Sequence, residues 1–249
     1  GIDVFLTANN HIFDKGAAGA QRTLEKFRKL GVSIAGIAEN PEMHDEAFPL
    51  IMECKGASIA MLNVTYGTNA GIGKEWPKIM KLSEKEAMTE ALAKAGTCDF
   101  VLILPHWGEE YILKHSATQE SYARWFVKQG ADAIIGAHPH VIQDIQEIDG
   151  TPVFYSIGNA VSNMSAANTQ MELMVTLKIV RYHNGNIKLL EPEYELLWCS
   201  RPGGYCNSYT ILPLKEFLGS REEWYGKWEY DKMATTYTRV AEKTGIKEN

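Results

Sequence analysis

The chain is poor in positive charge, in cysteine and in long apolar runs, and each shortage excludes a class of protein. Lys and Arg number 25 against 31 Asp and Glu, a formal charge of −6 with seven His counted neutral. A nucleic-acid groove needs a basic face, so no nucleic-acid partner is expected. The longest apolar run is Phe100–Pro105, far short of the ~20 residues that cross a bilayer, so no membrane span is expected. Four Cys are too few for a disulfide scaffold. Cys199 and Cys206 bracket a turn-like stretch, Ser200-Arg201-Pro202-Gly203-Gly204-Tyr205, and either pair across it in an oxidising compartment or remain free thiols. There is no initiator Met, basic n-region or cleavage site; the chain opens directly on a strand. It therefore reads as a piece of a longer protein whose first part and export signal are not in it.

What is present is ordinary globular composition: 45% hydrophobic and 22% charged residues over 249 positions. A chain of this length buries about 70–75% of its unfolded surface and needs no staple. The first half alternates strand and helix. Strands are expected at 2–8, 32–37, 58–64, 99–104 and 131–136. Helices are expected at 17–30, 83–95 and 116–129, with Ser83 and Glu86 forming a capping box. From Val141 the pattern turns to strands at 141–148, 152–157, 170–183 and 186–198, with Asp149-Gly150 and Asn184-Gly185 as hairpin signals. The first half implies a parallel sheet with crossover helices, the second half hairpins. The reading is one domain over 1–249, with a core over 1–200 and a polar helical tail over about 212–249. The tail's aromatics (Phe217, Trp224, Tyr225, Trp228, Tyr230) are expected to pack back on the core.

Polar residues gather after the strand ends, where α/β sheets bind ligands. Asn9-Asn10-His11 follows the first strand, His106-Trp107-Gly108 the fourth, His138-Pro139-His140 the fifth, and Gly158-Asn159 a later one. In an extended segment, residues i and i+2 face the same side, so His138 and His140 are expected to converge on one ion. Imidazole suits Zn, Mn or Fe. Asp14 and Gly16 are read as starting the first helix. Lys15, Arg22, Lys74 and Lys114 are placed to attract a polyanion, but the preferred reading is solvated surface.

Three blocks carry a family resemblance. They are Ala8-Asn9-Asn10-His11-x-x-x-Asp14-x-Gly16, His106-Trp107-Gly108-x-Glu110-Tyr111, and Gly130-Ala131-Asp132-x-Ile134-Ile135-Gly136-x-His138-Pro139-His140-Val141-x-Gln143, running on to Tyr155-Ser156-Ile157-Gly158-Asn159. In combination they resemble the CapA family of poly-γ-glutamate (capsule) biosynthesis proteins, itself similar to calcineurin-like metallophosphoesterases. The resemblance implies a four-layer α/β/β/α sandwich, here truncated at its N-terminus. It implies a divalent metal (Zn, Mn or Fe) held by Asn10, His106, His138 and His140, with His11 as general acid. Trp107, Glu110 and Asn159 would shape the substrate pocket, although Trp107 reads equally as a packing aromatic. Metal-activated water would attack an ester or amide.

The carboxylate ligands that this superfamily supplies ahead of the Asn-His motif fall before Gly1. Weak or single metal binding and little turnover are therefore expected; Asp14, Glu109 and Glu110 are the nearest replacements, without support in the sequence itself. By the same resemblance the partners are a polyanionic polymer or small phosphoester and other capsule-synthesis subunits. The location implied is the cell envelope, outward-facing or periplasmic. The competing reading is a non-catalytic polymer-binding or scaffolding subunit of a capsule synthesis and export assembly.

Overall fold

The computed structural model describes residues 1–248 and divides into two compact units. The first comprises Gly1–Trp107, Ser121–Gly136 and Ile148–Thr151; the second comprises Gly108–Glu120, Ala137–Glu147 and the described residues from Pro152 onward.

The first unit is built on near-continuous apolar strands, the pattern of parallel strands covered on both faces. β1 (Val4–Leu6) runs parallel to β2 (Ser33–Ala35), joined by α1 (Gly16–Leu30). Gly31 ends α1 in the left-handed conformation, as the sequence anticipates. β3 (Ile37–Ala38), α2 (His44–Ala47) and β4 (Leu50–Cys54) follow. β4 is a strand the sequence reading missed. It pairs antiparallel with β5 (Ala57–Thr65) through Lys55-Gly56, both at positive φ (51° and 82°), the geometry of a type I′ turn. Lys-Gly is a weak version of the Asn-Gly signal, so the hairpin was not evident. β6 (Lys78–Ile79) pairs with β3.

α3 (Lys85–Ala95) leads to β7 (Phe100–His106), and α4 (Ala117–Lys128) to β8 (Ala133–Ile135). β5, β7 and β8 are parallel neighbours, so with β4 the sheet is mixed, and its core holds Leu62, Val64, Met88, Ile103, Phe126 and Ile134. The capping box is not at Ser83: Glu84 accepts from the Lys81 amide, and α3 starts without a side-chain cap. It stands at α4, where the Ser116 amide donates to Gln119 Oε1 (2.9 Å) and the Gln119 amide to Ser116 Oγ (3.2 Å).

The second unit is hairpins and tail. β9 (Ile145–Ile148) and β10 (Thr151–Phe154) turn at Asp149-Gly150, and β12 (Ile179–Arg181) and β13 (Ile187–Leu189) turn at Asn184-Gly185, both as anticipated. The single strand expected over 170–183 is divided into β11 (Met171–Thr176) and β12. β11, β14 (Glu193–Ser200) and β15 (Thr210–Pro213) form an antiparallel sheet. The tail carries α5 (Leu214–Phe217) and α6 (Lys227–Thr244). Phe217 and Tyr230 meet Trp224 edge-on, and Tyr205 joins them, so these tail aromatics do pack inward. Tyr225 and Trp228 do not: they are 83% and 59% exposed. Cys199 and Cys206 are free thiols, so no bridge closes that loop. No described helix is long and apolar enough to cross a membrane.

Candidate metal centre

In the second unit, Glu110, His138 and His140 converge, each offering one ligand atom within 4.8 Å of the others. His138 is buried, His140 half-buried and Glu110 exposed. Two imidazoles and one carboxylate form a donor set that suits a borderline divalent cation, so these residues fit the group the sequence implies.

The convergence has a different origin from the one expected. Residues 138–141 form a bend rather than an extended strand, and His138 and His140 both have positive φ, 103° and 61°. Such backbone costs of order 1–3 kcal/mol per residue and collects at functional sites. Alternation along a strand is therefore not what aims the two rings; the bend is.

His140 and the loop of Glu110 are braced. His140 Nδ1 lies 2.9 Å from Asn159 Oδ1, while Asn159 Nδ2 donates to the carbonyls of His140 (3.3 Å) and Thr169 (3.1 Å). Because that amide nitrogen already faces two acceptors, its oxygen must accept, which puts the imidazole proton on Nδ1. The His140 Nε2 lone pair is left facing Glu110, whose Oε1 is 3.9 Å away. A ligating His commonly donates its other nitrogen in this way. Asn159 therefore orients His140.

Glu110 sits on a loop tied to the His segment. The Tyr111 amide donates to the Pro139 carbonyl (2.8 Å), and Gln143 Nε2 to the Ile112 carbonyl (2.9 Å). Gln143 is itself held by Gln119 Nε2 (2.8 Å). Farther along the loop, Asp144 receives Lys114 Nζ (2.7 Å), the His115 amide (3.1 Å) and His115 Nδ1 (2.9 Å). Burial pushes the Asp144 carboxyl up, but Lys114 and His115 outweigh it and hold the group below its usual range. Lys114 is thereby a structural ion-pair partner. The Tyr111 phenol is held above its usual value by desolvation and then by Glu110. Sequence reasoning missed this brace, because nothing local links Asp144 to a loop 29 residues away.

The first unit brings together Asn10, His11 and His106. Asn10 Oδ1 and His106 Nε2 are 2.9 Å apart, so these two residues expected as metal ligands are hydrogen-bonded to each other. Asn69 braces the pair's neighbourhood: its amide donates to the Asn10 carbonyl (2.8 Å), and its side chain accepts from Asn10 Nδ2 (3.3 Å). Tyr66 stacks parallel to His106. Deeper, Asn63 accepts from the Ala8 amide (2.8 Å) and donates to the Leu104 carbonyl (2.7 Å), fixing the strand ends that carry Asn10 and His106. Gly36, at φ 95°, lets the chain pass that point; a Cβ there would stand 2.2 Å from Asn63 Oδ1. Neither Asn63 nor Asn69 was anticipated, since lone Asn residues carry no pattern.

His11 is exposed, and its Nδ1 lies 2.7 Å from Asp14 Oδ2. Asp14 is thus a partner of His11 and does not cap α1, whose N-cap is Lys15 without a side-chain bond. Trp107 is 1% exposed and belongs to the core, the packing reading that the sequence offered beside a place in the pocket.

Comparison with known proteins gives the family of the chain. The family model described as "Bacterial capsule synthesis protein PGA_cap" matches residues 1–164. "Capsule biosynthesis protein CapA" of Bacillus anthracis is 33% identical over 182 residues, covering 70% of this chain and 44% of the relative. "PGA biosynthesis protein CapA" of Bacillus subtilis is 29% identical over 189 residues, covering 75% and 49%. The chain thus spans under half the length of both. Among solved structures, a Staphylococcus aureus protein assigned as a 5'-nucleotidase, in complex with α-ketoglutarate, is similar at TM-score 0.52 and 18% identity, over 78% of this chain and 38% of that one. At that identity the likeness is one of fold.

Proposed function

The chain belongs to the bacterial capsule synthesis family PGA_cap, and from that premise we propose that it is a capsule-polymer biosynthesis protein working by metal-dependent hydrolysis or transfer on a γ-glutamyl polymer or a phosphoester. The observation that carries this reading is the Glu110–His138–His140 cluster with both His in strained backbone. Strain at two ligand positions one residue apart is hard to explain by packing alone and is accounted for if the bend exists to aim the rings.

In this reading His138, His140 and Glu110 hold a divalent cation, and Asn10 and His106 form the second polar set. A bound cation would supply Lewis acidity toward a carbonyl or phosphoryl group. Asn159, accepting from His140 Nδ1, aims Nε2 at the cation position. Asp14, accepting the His11 Nδ1 proton, orients that ring and leaves Nε2 to pass a proton to a leaving group, work suited to His near neutral pH. The names of the relatives favour a place at the cell envelope, outward-facing, beside other capsule-synthesis subunits.

Metal content by mass spectrometry tests this, on the purified chain beside His138→Ala and His140→Ala. About one equivalent of Zn, Mn or Fe is expected, falling to near zero in both variants. No metal after incubation with excess of each would overturn the metal-dependent reading and favour a polymer-binding subunit.

A further inference from the structure

α1 carries Arg22, Lys26, Arg28 and Lys29 against a single acid, Glu25, in a chain of net charge −6. Arg28 pairs with Glu39 at 2.7 Å, and Arg28 and Lys29 occupy the last turn, where cations suit the helix dipole. Lys15, Arg22 and Lys26 have neither explanation. Among the described residues none of the three has an ion-pair partner. Lys15 stands at the N-terminus of the helix, where a cation opposes the dipole, and the first turn holds no acid to offset it.

These three cations share one face, being spaced i, i+7 and i+11. They line a single open cavity of about 540 Å³, which His11, Phe27 and one acid, Asp14, also line; Asp14 is engaged by His11, so the three cations outnumber it. Gly19 lies between Lys15 and Arg22 on the same wall. A Cβ there would meet the Lys15 Cβ at 2.4 Å and stand 3.8 Å from an Arg22 guanidinium nitrogen. Glycine inside a helix costs about 1 kcal/mol relative to Ala. Here it leaves the floor of the groove open and lets the Lys15 side chain lie across it.

We propose that this face of α1 is a binding subsite for an extended polycarboxylate chain, which Lys15, Arg22 and Lys26 hold by successive carboxylates and lead to His11. The spacing favours a chain over a compact anion. Seven and four residues of helix separate the cations by about 10 Å and about 6 Å, so the first and last, about 16 Å apart, do not both reach one phosphate. The Ile12 and Phe27 surfaces in the same cavity suit the methylenes between the charges. The inference rests on the proposed function only where it makes this polymer the substrate; binding itself requires no metal.

The test is binding of a fluorescent poly-γ-glutamate oligomer, followed by anisotropy at 50 mM and 200 mM salt, with the whole chain and two variants. Lys15→Gln/Arg22→Gln/Lys26→Gln is expected to weaken binding at least tenfold and to flatten its salt dependence. Lys128→Gln/Lys188→Gln/Lys243→Gln, equal in charge change but outside the groove, is expected to change it less than twofold. Lys15→Gln/Arg22→Gln/Lys26→Gln is also expected to keep the metal content of the parent chain, which separates the groove from the metal reading. Equal weakening by the two triple variants, or none by the first, would overturn the proposal. So would displacement of the oligomer by inorganic phosphate at equal charge concentration, which would mark a phosphate site.

Discussion

At the scale of single residues, the imidazoles were legible and their supports were not. His138 and His140 stand out because two His with one residue between them are rare enough to notice. Glu110 was quoted in a motif, but only the structure sets it beside them. Asn159 acts through His140, and its role depends on two backbone carbonyls, those of His140 and Thr169, that no spacing reveals. Removing such an orienting partner typically costs 10–100-fold in metal affinity. Asn159→Leu is therefore expected to weaken metal binding about 10–100-fold while the fold is kept, as read by competition with a chelating dye and by circular dichroism. An affinity within twofold of the parent would remove Asn159 from the site's support.

At the scale of elements, apolar periodicity located α1, α3, α4, β5 and β7 to within a residue or three, because helices and buried strands carry long local patterns. The short strands β4 and β15 went unread, since a strand of four or five residues is decided by its partner. The tail shows the same limit. α6 reads as polar, yet its Glu229 is fully buried, accepting from Ser200 Oγ (2.6 Å), the Arg201 amide (2.9 Å) and Gln170 Nε2 (3.0 Å). This one carboxylate ties α6 to β14 and to the residue preceding β11. Glu229→Ala strands three donors, and such losses cost about 3–5 kcal/mol. Urea denaturation should show that loss of stability, with Glu229→Gln losing less. A change below about 1 kcal/mol would mean that water replaces the carboxylate freely.

At the scale of the whole molecule, charge and burial together set the response to pH. Glu172 on β11 is pushed up to about 7 by burial, from an ordinary 4.5. The folded chain therefore keeps a proton that the unfolded chain releases above 4.5. This contribution to stability is complete below about pH 4.5 and is lost as pH rises through 7. Asp144 works in the opposite sense, stabilising above the ordinary carboxyl range and failing as pH falls through its lowered value. Glu172→Gln is expected to raise the melting temperature at pH 8 by about 2–6 °C, allowing about 1–2 kcal/mol after discounting for partial exposure, and to leave it unchanged at pH 4. Equal shifts at both pH values would show that the carboxyl is not protonated in the fold.

The sequence by itself determined the alternation of strand and helix, the two Asx-Gly hairpins, the family and the imidazoles of the candidate site. These rest on local patterns and on short motifs whose meaning does not depend on distant partners. Tertiary structure alone decided that a strained bend aims His138 and His140, that Glu110 completes their cluster, that Trp107 is core, and that Asp14 serves His11. It also decided that Arg22 and Lys26 of α1 and its N-cap Lys15 stand without ion-pair partners among the described residues, along one groove. Each of these depends on which groups, far apart in the chain, share a few ångströms of space once the backbone polar groups are satisfied, and that is a property of packing which no local pattern encodes.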